Sequence, residues 1–139
     1  MKKLFVFIVI IIFSFSCNKD ETVAAPSIIG KWNFEKQIYT QNTTTYPEEN
    51  YPNQVGCIKN YIELTSSNTF KEIDYNSNCT YIAYNGNWTK SGNIISITYS
   101  DMTTDSYEVV SVSETTLVIK HTENIGSNTY SYLYTLLRV

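Results

Sequence analysis

Histidine is almost missing from this chain: His121 is the only one in 139 residues. A general base needs a positioned partner, and the sequence names none for it. There is no Ser-His-Asp or Cys-His arrangement, no phosphate-binding glycine loop and no cluster with metal-ligand spacing. Glu48 and Glu49 fall in a long loop, and Asp101 and Asp105 in a turn, where solvated charge is the ordinary explanation for paired carboxylates. The expectation is no enzyme, no metal and no cofactor. Helical periodicity is missing as well, since no segment keeps it for three turns. Cations are scarce: removing residues 1–16 takes Lys2 and Lys3, leaving 8 basic residues against 13 acidic ones, a formal charge of −5. Such a chain has no electrostatic footprint for nucleic acid or anionic headgroups.

What is present begins with the first residues. Lys2 and Lys3 precede an unbroken apolar run from Leu4 to Phe13, which is too short for a permanent membrane helix of ~20 residues but suits a secretory signal. Ser14-Phe15-Ser16-Cys17 resembles a bacterial lipobox, with Ser14 standing where an aliphatic residue is usual. This predicts a signal peptide over 1–16 and acylation of Cys17. Acyl chains contribute about 0.8 kcal/mol per buried methylene, so two or three hold a protein on a membrane. Asn18-Lys19-Asp20-Glu21 resembles the Lys-plus-acidic signal that sends Bacteroidetes lipoproteins to the outer face of the outer membrane. Residues 17–28 read as a lipidated, flexible tether, and 29–139 as one small domain.

Two cysteines remain in that domain, Cys57 and Cys79. In an oxidising compartment a lone pair usually closes a disulfide, here worth about 3 kcal/mol on the chain-entropy estimate. The alternative is zinc, which no neighbouring histidine or second cysteine pair supports.

From residue 30 onward the apolar period is two. Eight strands are expected: A from about Gly30 to Thr40, with Trp32, Phe34 and Ile38 on alternate positions; B from Asn60; C from Thr69; D from Tyr81; E from Ile94; F from Tyr107; G from Leu117; and H from Thr129. Between A and B lies a long Asn-, Thr- and Pro-rich stretch, Gln41 to Gly56, of a length that is often functional or mobile. Hairpin-length turns join the rest. The fold class predicted is all-β, an eight-stranded up-and-down antiparallel barrel, because closing the meander removes its exposed edges. A β-sandwich is the rival, although the cysteine spacing and the absence of an intervening Trp disfavour an immunoglobulin type.

Gly30-Lys31-Trp32 opens the first strand and Arg138 lies near the end of the last. Here the chain resembles the lipocalins, in which a Gly-x-Trp closes the barrel floor and a late arginine packs across the indole by a cation–π contact. Gly86-Asn87-Trp88, Gly92-Asn93-Ile94-Ile95-Ser96-Ile97, the run Tyr132 to Val139 and the cysteine pair resemble the lipocalin-like lipoprotein domains of Bacteroidetes. The resemblance implies a floor built from Gly30, Trp32 and Arg138.

Alternation places Trp32, Phe34, Leu64, Phe70, Trp88, Ile95, Ile97, Tyr107, Val109, Leu117, Ile119, Tyr132 and Tyr134 inside. The interior is either a calyx or a barrel filled by its own side chains. If it is a calyx, Phe34, Phe70, Trp88, Tyr107, Tyr132 and Tyr134 are the candidate ligand-binding residues. His121, on the face of Leu117 and Ile119, reads as a rim or structural histidine. Two functions follow. One is a surface-anchored barrel binding a small apolar or amphipathic ligand. The other is a non-catalytic scaffold whose 41–56 loop and exposed tyrosines (Tyr39, Tyr46, Tyr51, Tyr99 and Tyr130) dock on another outer-membrane component.

Overall fold

The computed structural model describes residues 26–139. The expected signal segment 1–16, the expected acylation site Cys17 and the expected tether as far as residue 25 lie outside the described residues. Strand follows strand: β1 (Gly30–Gln41), the short pairs β2 (Thr44–Thr45) and β3 (Glu49–Asn50), β4 (Tyr61–Leu64), β5 (Thr69–Tyr75), β6 (Tyr81–Ser91), β7 (Ile94–Tyr99), β8 (Thr104–Val112), β9 (Thr116–Ile125) and β10 (Asn128–Arg138). The eight longer strands run antiparallel in sequence order, and β10 pairs back on β1 from Trp32↔Arg138 to Gln41↔Tyr130. The barrel is closed and of the up-and-down type.

Closure buries the predicted alternation. Trp32, Leu64, Leu117 and Leu136 fill one end, and Phe34, Phe70, Ile97 and Ile119 the middle. At the closed end Ile28 is buried too, and its carbonyl accepts the Trp32 indole N–H at 2.8 Å. Packed structure therefore reaches at least one residue upstream of the expected boundary at 29. Trp88 closes a neighbouring sector, its indole N–H donating to Thr65 O at 3.1 Å.

Two irregularities matter. The register of β1 slips between Phe34 and Lys36, so that Glu35 is an extra residue and parity reverses beyond it. Ile38, which alternation set in step with Trp32 and Phe34, pairs with Leu133, whereas Tyr39 pairs with Tyr132 and turns inward. The second concerns the stretch 41–56. Instead of an irregular arm, it folds back along β1: Thr45 pairs with Thr40, Asn50 pairs with Lys36, and Tyr51 N–H donates to Glu35 O at 2.9 Å. It occupies the edge that β4, which pairs with β1 only from Gly30 to Asn33, leaves bare. Asn53 fastens it, donating to Phe34 O at 2.8 Å and accepting from Asn60 N–H at 2.8 Å. A disulfide joins Cys57 to Cys79, tying this segment to the β5–β6 turn.

The β5–β6 hairpin outruns its neighbours. β5 pairs with β6 out to Tyr75↔Tyr81, but β6 meets β7 only from Gly86 to Ser91. Gly86 marks the divergence, since a Cβ there would strike the β7 backbone at Thr98 and Tyr99. Asn85 O still accepts from Ser100 N–H at 2.9 Å, and residues 81–84 beyond it leave a gap in the barrel wall beside the β7–β8 turn.

Candidate ligand-binding site

Strand alternation sends Phe70, Glu72 and Asp74 of β5 to the same face, so a side chain that aromatic packing alone would not select enters the barrel. An interior cavity of about 50 Å³ lies above the apolar floor, with Phe34, Tyr51, Phe70, Glu72, Tyr107 and Tyr134 in its wall and aliphatic side chains from β4, β7 and β9 completing it. That is room for a few waters or one small chemical group. Most of the barrel is filled by its own side chains.

Aromatic packing shapes this chamber. Tyr51 stacks on Phe34 with centroids 4.5 Å apart, and Tyr134 meets Phe34 edge-on at 5.4 Å. Tyr132 lies one layer nearer the mouth, parallel to Tyr134 at 6.0 Å. His121 stands beside it, between Tyr132 and Tyr107, with Nδ1 3.2 Å from Asp105 Oδ1. Tyr39 extends the aromatic series, packing on Tyr46, Tyr130 and Tyr132.

Glu72 is the only charged side chain in the cavity wall. Among the described residues its carboxyl has no hydrogen-bond or ion-pair partner. Burial pushes it up to about 7, and the nearby Asp74 and Asp105 add like-charge repulsion. Burial also raises Asp74, which accepts a hydrogen bond from Asn60 Nδ2 at 3.0 Å. The tyrosines respond in the same direction. Burial, then the Asp74 charge, pushes Tyr51 up to about 12; burial, then Glu72, does the same to Tyr99. Tyr107 and Tyr134 are likewise raised, chiefly by burial, and remain neutral hydroxyls across the physiological range.

Glu72 also lines a second hollow, a cleft of about 410 Å³ in the gap between β6 and the β7–β8 turn. Its other walls include Asp74, Tyr84, Tyr99 and Asp101. Thr103 holds Asp101 through its hydroxyl at 2.6 Å and its backbone N–H at 3.0 Å, and these bonds keep that carboxyl below its usual range. No lysine or arginine lines either hollow. Among the described residues no group of three or more histidine, cysteine and carboxylate side chains is arranged to hold a metal ion.

Of the six residues expected to contact ligand, Phe34, Phe70, Tyr107 and Tyr134 share the cavity wall. Trp88 and Tyr132 do not. Trp88 is used in closing the floor end, beside Ile28 and Val112, and Tyr132 stands above the chamber. Glu72 and Tyr51 are the additions. Parity with Phe70 was the signal for Glu72, whereas Tyr51 sits in a segment without periodicity. At the floor, the Arg138 guanidinium lies 4.0 Å from the Trp32 ring centroid, and its nitrogens donate to Glu114 O, Ile29 O and Ser27 O at 2.7, 2.8 and 2.6 Å.

A family model described as a lipocalin-like domain matches residues 28–119. A lipocalin-like protein from Bacteroides uniformis is similar in structure, with a TM-score of 0.55 and 15% identity over 80% of this chain and 97% of that one. A protein from Bacteroides eggerthii gives 0.53 and 11% over 81% and 100%. Lobster apocrustacyanin A1 gives 0.50 and 12% over 80% and 60%. At such identities the likeness is one of fold, not of ligand. No curated protein matches the sequence. Closed barrel, capped floor and family match agree: the chain belongs to the lipocalin-like domain family.

Proposed function

We propose that this protein is a lipid-anchored outer-membrane lipoprotein, exposed at the cell surface, whose barrel binds a small amphipathic ligand rather than catalysing a reaction. The observation that carries the binding role is the chamber itself: an aromatic cavity holding one unpartnered carboxyl and adjoining an open cleft. Pockets for drug-sized ligands run to roughly 300–1,000 Å³. The chamber is far smaller, so it takes one end of a ligand and the cleft takes the remainder.

Cys17 and the Lys19-Asp20-Glu21 cluster support the anchor and its export. Pro26, Ser27 and Ile28 border the closed end beside Trp88, so the tether enters there. The nine residue-to-residue steps from Cys17 to Pro26 reach at most roughly 30 Å when extended. An anchored barrel would therefore present its floor to the membrane and its mouth outward.

Native mass spectrometry of the full mature protein, extracted gently from its own envelope, tests the binding role. A retained small-molecule adduct is expected; an empty barrel in every preparation counts against it. The docking role for 41–56 has less support, because that segment is committed to covering β1 and Tyr51 is turned into the chamber.

A further inference from the structure

Deepening the binding role proposed above, we propose that the ligand is a small organic cation, an ammonium or guanidinium compound, whose charged end enters the chamber beside Glu72 while its body lies in the cleft along Tyr84 and Tyr99. Three observations combine. Glu72 is the only charge in a chamber otherwise walled by aromatic and aliphatic groups, and nothing among the described residues pairs with it. Glu72 is half-buried where the chamber opens into the cleft, and a carboxylate so placed gains from an arriving counter-charge. Around it stand Phe34, Tyr51, Tyr107 and Tyr134, whose π faces attract cations.

The second observation is the sign of everything on the way in. Asp74 and Asp101 line the cleft, and Asp105 stands near its inner end beside His121. With no lysine or arginine on either wall, a carboxylate- or phosphate-headed ligand meets repulsion throughout. The third is size. About 50 Å³ suits a compact cationic head but not a hydrocarbon chain. Burial pushes the Glu72 carboxyl up to about 7, so a cation arriving near that pH drives its remaining proton off to solvent and pairs with the carboxylate.

Calorimetric titration of the full mature protein with 2-phenylethylamine, 2-phenylethanol and 3-phenylpropionate tests the assignment. The amine is expected to bind at least roughly tenfold more tightly than the alcohol, and the carboxylate not measurably. Glu72→Gln should erase the amine's advantage over the alcohol. Alcohol binding as tight as amine binding, or an amine affinity unchanged by Glu72→Gln, overturns the cationic assignment but leaves a working ligand site. Failure of all three probes also overturns it, and native mass spectrometry then decides separately whether the barrel binds anything. The comparison of the three probes needs only the wild-type chain, so a variant that fails to fold does not remove the test.

Discussion

Arg138 occupies the space that a side chain on Gly30 would need. A Cβ built at Gly30 falls against Arg138 Nη1, and Gly30 itself has φ +144°, a conformation that L side chains rarely adopt. The guanidinium cannot yield easily, being held over Trp32 and bonded to three carbonyls. Glycine, tryptophan and arginine therefore form one unit sealing the barrel where its first and last strands meet.

Gly30→Ala should cost about 2 kcal/mol through backbone strain and displacement of Arg138. Arg138→Ala should cost a similar amount, about 2 kcal/mol, by removing the cation–π contact and uncovering carbonyls. The two losses should be less than additive, because either change disrupts the same contact. Urea unfolding of both single variants and the double variant measures this.

Glu72 makes stability depend on pH with a definite sign. Its carboxyl rises from 4.5 to about 7 on folding, so between those values the unfolded chain releases a proton that the folded chain keeps. Stability from this group is full below pH 4.5, falls as pH rises, and is lost above 7, by up to about 3 kcal/mol. Glu72→Gln should accordingly stabilise the ligand-free protein at pH 8 and change little at pH 4. Urea midpoints at both values test it; equal effects at the two pH values contradict it.

Replacing Cys57 and Cys79 together by serine should lower stability by about 3 kcal/mol, since the bond closes a separation of 22 residues. Hydrogen exchange should quicken in 51–60 and around the β5–β6 turn, with β9 and β10 little affected. Uniform quickening would argue against a local clamp at the mouth.

The anchor is tested in cells. Cys17→Ala should abolish incorporation of labelled palmitate and release the protein from membranes. Alanine in place of Lys19, Asp20 and Glu21 should preserve acylation but remove accessibility to protease added to intact cells. Continued surface cleavage would refute the export role.

Much of this architecture was readable from alternation. Runs such as Leu117-x-Ile119 and Tyr132-x-Tyr134-x-Leu136 place their faces without ambiguity, because closure buries one side of every strand. Alternation failed at the Glu35 bulge, where one extra residue exchanges Ile38 for Tyr39 inside the barrel. It could not reveal Thr44–Thr45 or Glu49–Asn50, pairs too short to carry a period. Of the site, the aromatic wall was legible and the carboxyl was not. A glutamate between Lys71 and Ile73 reads as solvent-facing until the parity of Phe70 is given priority over its charge. Tyr51 was hidden because its position depends on its own N–H donating to Glu35 O and on Asn53 holding the segment to Phe34 O, not on strand pattern.

Heteronuclear NMR of the full mature protein, titrated with 2-phenylethylamine, tests most directly whether the barrel interior is a binding site. Saturable shifts should converge on Phe34, Tyr51, Phe70, Tyr107 and Tyr134, with cleft residues Tyr84 and Tyr99 following the same curve. Shifts confined to the outer strand faces, or no saturable change in those side chains, would contradict it.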